Sequence, residues 1–180
     1  LWTEEKLYVG WEVKDTFLKS SFNNNEDHLW EQDAVEIMVD PDGDGRNYFE
    51  IQVAPTGKTF DTRYETRRQP APFGIMDWSS HIEAKVHAEG AVNDDNDDTG
   101  YTVELAMPWS AFGLEGAPMA APSVGSNWRV NFYVMDTGKD GRQDAAGWSP
   151  PRVGDFHVPA RFGRLRFAEN ASDPAPAHGP

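Results

Sequence analysis

Apolar side chains recur at every second position through most of the chain, and no long stretch carries an apolar period near 3.6 residues. Leu7, Val9, Trp11 and Val13 alternate with Tyr8, Gly10 and Glu12; Val35, Ile37 and Val39 alternate with Ala34, Glu36 and Met38. The same period runs through Phe49, Ile51 and Val53, through Ile82, Ala84 and Val86, through Tyr101 to Met107, and through Trp128 to Val134. Six or more short strands, separated by Gly, Asp and Pro clusters such as DPDGDG, VNDDNDDTG and TGKDGRQD, predict an all-β antiparallel sandwich of jelly-roll or immunoglobulin-like type. PWSAFG, at 108–113, predicts one short helical turn, with proline at its start and glycine at its end. The sandwich is expected to span 1–168, and the Pro/Ala-rich stretch 169–180 to be a tail or linker.

Alternation also divides the faces. If Val35, Ile37 and Val39 fill the core, Glu36 and Met38 point away from it. By the same parity Tyr48, Glu50 and Gln52 turn outward, as do Arg129, Asn131, Tyr133 and Met135. Side by side in one sheet, these residues would make a polar floor with aromatic and thioether patches. Such a floor suits a neutral polyhydroxylated ligand, because acids and amides bond hydroxyls and aromatic rings stack on apolar C–H faces. A plain exposed sheet face is the alternative.

Composition narrows the partners. With 180 residues, seven Trp and ten Phe, the chain can build a substantial core. Thirty acids against sixteen bases give a net charge of -14, which disfavours nucleic acid and anionic lipid. Cysteine is absent, which removes disulfides, thiolate metal sites and thiol nucleophiles. No apolar run is long enough for membrane insertion, and any signal peptide is expected to have been removed ahead of Leu1.

Two motifs suggest chemistry. Asp40, Asp42, Asp44 and Gly45 imitate the start of an EF-hand loop, but its twelfth position is Ile51 and its flanks read as strands. A calcium site outside that motif remains open, at these acids, at 94–98, or at Asp136, Asp140 and Asp144; a solvated hairpin turn is the plain reading. Glu36 and Glu50 could pose as a glycosidase acid and base pair, but strands bring carboxylates together without catalysis, and no enzymatic activity is expected.

LYVGWEVKD, WEQDAVEIMVDPDGDGRNYFEIQVAPTG, YTVELAMPWSAFG, WRVNFYVMD and GWSPPRVGDFHVPARFGRLRF resemble, in order and spacing, the family 9 carbohydrate-binding modules and their DOMON-like relatives. The resemblance implies a secreted β-sandwich, extracellular or periplasmic, that recognises a polysaccharide or oligosaccharide without chemistry, often as one domain of a larger protein and with bound calcium. It implies that Trp30 stacks on the sugar and Glu36 hydrogen-bonds it. Other positions depart from the family pattern: its second stacking tryptophan falls at Phe156, an arginine at Glu50, an asparagine at Gln52 and a glutamine at Tyr133. Trp30, Glu36, Gln52, Asn131, Tyr133, Trp148 and Phe156 are therefore the expected ligand set. Family members usually carry a further segment before the strand matched by KLYVGWEV, so the N-terminal strand is expected to be lacking here or supplied by a partner. Some DOMON-like relatives bind haem b, for which Met38, Met135 and His157 are the candidate ligands. A structural subunit that meets neighbouring chains is a third reading.

Overall fold

The computed structural model describes residues 1–114 and 118–169; most of the stretch expected as a tail lies outside the described residues. Nine strands form two antiparallel sheets among these residues: β1 (Lys6–Val13), β2 (Ala34–Asp40), β3 (Tyr48–Val53), β4 (Thr59–Tyr64), β5 (Glu83–Glu89), β6 (Gly100–Pro108), β7 (Asn127–Thr137), β8 (Gln143–Gly147) and β9 (Gly163–Arg166). The smaller sheet has the order β1-β6-β5, the larger β4-β3-β2-β7-β8, and β9 also pairs with β7. Three short 3-10 turns complete the list of elements, at Leu29–Glu31, at Trp109–Phe112 within PWSAFG, and at Pro159–Arg161. No helix among the described residues is long and apolar enough to cross a membrane.

The main core lies between the sheets. It is filled by the inward parity of β1, β2, β3, β6 and β7, including Val35, Ile37, Val39, Phe49, Ile51, Val103, Leu105 and Val130. Trp109, Phe112, Trp128 and Phe167 close one end in edge-to-face contacts at 5.1–5.7 Å. Leu1 and Trp2 double back onto the edge of β1, where Tyr8 N–H donates to Leu1 O at 2.8 Å and Trp2 bridges to Leu7.

The opposite face of the larger sheet corrects the expected exposed floor. Every residue of β2 and β3 is buried, including Glu36, Met38, Tyr48, Glu50 and Gln52. A second apolar cluster covers this face, in which Leu29 from the turn after β1, Tyr133 and Met135 of β7, and Phe162 meet Met38, Tyr48, Phe60 and Tyr64. Apolar residues in the connections, Phe22, Leu29, Trp30, Phe156 and Phe162, are what turn a solvent-facing sheet into a roofed one.

β8 and β9 occupy the same edge of β7 one after the other: β8 pairs with Tyr133–Thr137 and β9 with 127–130. Asn131 fills the interval. Its side-chain amide donates to Ser149 O at 2.7 Å and its Oδ1 accepts from Ser149 N–H at 2.9 Å, a side-chain copy of a strand pair.

Candidate functional site

Beneath the roof, β2 and β3 place Glu36 directly opposite Gln52 and Met38 opposite Glu50. The Gln52 amide nitrogen donates to Glu36 Oε2 at 2.8 Å and to Glu50 Oε1 at 2.7 Å, so one nitrogen joins two buried carboxylates. Three acceptors on this floor have no partner: Glu36 Oε1, Glu50 Oε2 and Gln52 Oε1. Burial, and then the charge of Glu50, push the Glu36 carboxyl well above its ordinary range. Burial pushes Glu50 up to about 7 against the hydrogen bonds from Tyr64 and Gln52 that favour its charged form.

The floor opens into a cleft of about 260 Å³ that is also lined by Trp30, Met38, Tyr64, Arg68, Phe73, Met135, Asp155, Phe156 and His157. Its aromatic walls are held from behind. His28 stacks on Trp30 at 4.5 Å, Phe60 meets it edge-on at 5.1 Å, and Phe73 lies tilted beside it at 5.3 Å. Phe156 stacks on Tyr133 at 4.0 Å with the rings 4° from parallel. Asn131 Nδ2–H donates to Tyr133 Oη, whose O–H donates to Phe156 O at 3.0 Å. Asn131 and Tyr133, expected to touch the ligand, thus sit under the aromatic wall and support it.

Across the mouth, Asp155 takes Arg67 Nη2 at 2.7 Å and both Nε and Nη2 of Arg68 at 3.0 and 2.7 Å. This clasp ties loop 65–75 to loop 148–162, and the two arginines hold the Asp155 carboxyl well below its usual range despite partial burial. Deeper in, Arg68 N–H donates to Tyr48 Oη, which shares a further hydrogen bond of 2.9 Å with His157 Nδ1. The other ring nitrogen, Nε2, lies 3.6 Å from Glu50 Oε2, too far for a hydrogen bond. Burial lowers the His157 pKa to about 4, and Arg68 adds to the shift.

Trp148 departs from the expected set. It lies on the other face of the larger sheet, edge-on to Phe132 at 5.6 Å and over Gly163, where any Cβ would collide with its ring. The three haem candidates are placed as follows. Met38 pairs in register with Asn131 and Met135 with Ala34, which sets the two sulfur-bearing residues four positions apart along the strands. His157 is buried with Nδ1 2.9 Å from Tyr48 Oη, and it lines the cleft together with Met38 and Met135. Arg68, Phe73, Asp155 and Tyr64 belong to the site without having been expected there. For Phe73 the signal was a lone large aromatic inside the Pro-rich RRQPAPFG.

Two acidic groups have carboxylate oxygens close enough to share an ion. In the hairpin after β2, Asp40 accepts from Gly43 and Gly45 N–H at 2.9 Å, Asp42 from Asp44 N–H, and Asp44 from Arg46 N–H. Gly43 and Gly45 lie in the left-handed region, with φ of 74° and 82°. Each of these carboxylates thus also accepts from a backbone N–H of the turn. Asp15, Asp33 and Asp136 form the second group, with oxygens within 4.8 Å of one another. Asp33 is fully buried and accepts from Lys19 and Thr137 N–H. Asp15 Oδ2 and the hydroxyl of Tyr101 are buried and unpartnered. Burial, and then the charges of Asp15 and Asp136, push the Asp33 carboxyl up to about 7.

With this geometry in view, residues 1–170 match the family model described as carbohydrate family 9 binding domain-like. The chain belongs to this family. It is 31% identical over 169 residues to an endo-1,4-beta-xylanase A of Thermotoga neapolitana, which covers 93% of the chain but only 13% of the xylanase. The chain thus spans about an eighth of that enzyme's length. A candidate carbohydrate-binding protein of Bacteroides uniformis superposes with a TM-score of 0.75 at 20% identity, covering 91% of this chain and 74% of that one. A family 9 module of Caldicellulosiruptor kristjanssonii in complex with cellotriose superposes with a TM-score of 0.60, also at 20% identity, covering 100% of this chain and 78% of that one. Both likenesses place the family 9 domain in a shared β-sandwich fold.

Proposed function

We propose that this domain is a non-catalytic carbohydrate-binding module that takes one sugar ring of a glycan chain into the cleft between Trp30, Phe73 and Phe156. The observation that carries the reading is the pairing of aromatic walls with a floor whose buried acceptors, Glu36 Oε1, Glu50 Oε2 and Gln52 Oε1, lack donors. Sugar hydroxyls supply such donors, and the apolar faces of a pyranose suit the rings. The relatives' names point the same way: one is a xylanase and one is a family 9 module in complex with cellotriose. Hydrolysis is disfavoured because Gln52 bridges the two carboxylates where a scissile bond and water would have to stand. A polymeric glycan also implies an extracellular or periplasmic location, and the length of the relatives implies that the domain serves a larger protein.

The test is a tryptophan-fluorescence titration with cello-, xylo- and manno-oligosaccharides, each also with its reducing end opened by borohydride. Saturable binding lost on reduction is the expected result and would mark recognition of a chain end. Silence across the panel refutes the reading.

Calcium belongs to the same proposal, at Asp15, Asp33 and Asp136 rather than in the hairpin. The orphaned Asp15 Oδ2 supports this choice, together with an open cleft above it that is lined by Asp15, Asp136, Asp140 and Asp144. The ion would tie the segment after β1 to the end of β7.

A further inference from the structure

Building on the glycan-binding reading, we infer that the preferred occupant of this cleft is an amino sugar with a free ammonium group, held by Glu36, Glu50 and the Gln52 carbonyl. Acceptors outnumber donors on the floor of the cleft. The floor presents three acceptor atoms without a partner, while the Gln52 amide is already spent on the two carboxylates and the Tyr64 hydroxyl already favours the charged form of Glu50. A hydroxyl offers one proton to such a floor; an ammonium offers three and asks for nothing in return.

Charge decides between the two. Glu36, Glu50 and Gln52 are 2%, 4% and 0% exposed, so hydrogen bonds made here are little screened by water. Ionising both members of a buried carboxylate pair is unfavourable without a cation, and an ammonium between them stabilises the ionised form. The nearest cations do not fill that role. Arg68 and Arg67 are committed to Asp155 at the mouth, and His157 is neutral with its Nε2 3.6 Å from Glu50 Oε2. Tyr64 of β4 and Tyr133 of β7 face the pair as phenols whose pKa values are pushed up by burial, so they add no charge. The chain's net charge of -14 also draws cationic ligands toward the cleft.

Because Glu36 and Glu50 both hold protons more tightly than ordinary carboxyls, an ammonium that settles between them expels protons to solvent. A neutral sugar has no such effect. The measurable signature is therefore a heat of binding that depends on the ionisation enthalpy of the buffer.

The test is isothermal titration at pH 5.5, where the sugar amines are already protonated, and 150 mM salt with three trisaccharides: cellotriose, fully deacetylated chitotriose and the N-acetylated form of the latter, triacetylchitotriose. Deacetylated chitotriose and cellotriose differ only in carrying ammonium or hydroxyl at C2. The expected result is at least tenfold tighter binding of deacetylated chitotriose, with proton release that cellotriose does not show, and loss of the preference in Glu50→Gln. Free glucosamine run alongside separates a monosaccharide ligand from a chain end. Equal or tighter binding of cellotriose overturns the amino-sugar inference and leaves the glycan-binding reading standing. Failure of all three overturns both. Retention of chitotriose binding in Trp30→Ala would mean adsorption to the acidic surface and also overturns the inference. The proton-release comparison uses the unmodified protein, so it decides the matter even if Glu50→Gln folds poorly.

Discussion

The proposed calcium site at Asp15, Asp33 and Asp136 would have a measurable consequence for stability. The perturbation is removal of the ion with EGTA, compared with 1 mM calcium at pH 7. Oxygen-ligated sites of moderate charge have Kd values of about 10 µM, so 1 mM calcium is about a hundredfold excess. Binding only to the folded state then adds about 2.7 kcal/mol. For a chain of this size each kcal/mol moves the melting temperature by about 2–4 °C, which gives an expected rise of about 5–10 °C. Scanning calorimetry or a tryptophan-fluorescence melt reads it directly. Asp136→Asn is the informative variant, because Asp136 is the least buried of the three and its strand pairing to Asp144 through the backbone survives the change. It should melt no lower than the parent in EGTA, where a repelling charge has gone, yet lose most of the calcium increment. Asp42→Asn should keep that increment in full. An increment below about 1 °C, or one abolished by Asp42→Asn and untouched by Asp136→Asn, would refute the assignment.

Trp30→Ala removes one wall of the cleft, and stacked rings contribute about 0.5–1.5 kcal/mol beyond their buried area, so glycan affinity should fall at least tenfold in titration while circular dichroism stays that of a β-sandwich. Asp155→Ala unfastens both arginines; since these are half exposed, stability should fall by less than about 1 kcal/mol in urea melts, while glycan affinity falls several-fold. For pH, the raised Glu50 carboxyl contributes stability that is present below about 4.5 and lost as pH rises through about 7. Glu50→Gln should therefore match the parent's melting temperature at pH 4.5 and exceed it at pH 8. The lowered His157 acts with the opposite sign between pH 4 and 6.5, but it is common to both proteins and cancels in the comparison.

Alternation makes six strands legible because their inward residues are large and apolar while their neighbours are not. β4, β8 and β9 escape for physical reasons. TFDTRY mixes Asp and Thr with Phe and Tyr, QDAAG is an exposed edge strand, and GRLR has only four residues. Parity also put Glu36, Glu50 and Gln52 on the correct face, yet that face is roofed, because period 2 says which side a residue takes and nothing about what covers that side. Trp30 and Phe156 both line the cleft. Trp148 does not, since Gly163 leaves a hollow that seats its ring on the opposite face. Loop residues such as Arg68 and Asp155 have no periodicity to betray them, and only the tertiary clasp gives them a role.

The shared edge of β7 has an implication for how this scaffold can change. Loop 148–162 leaves the sheet where β8 ends and returns where β9 begins, and Ser149 Oγ closes its neck on Arg161 O at 2.7 Å. Asp155, Phe156 and His157 therefore ride on a cassette whose two ends are moored to one strand. Such a cassette can be lengthened, shortened or exchanged for another without disturbing the order of the strands. New ligand preferences could arise in that segment alone, with Glu36, Glu50 and Gln52 left as an inherited floor.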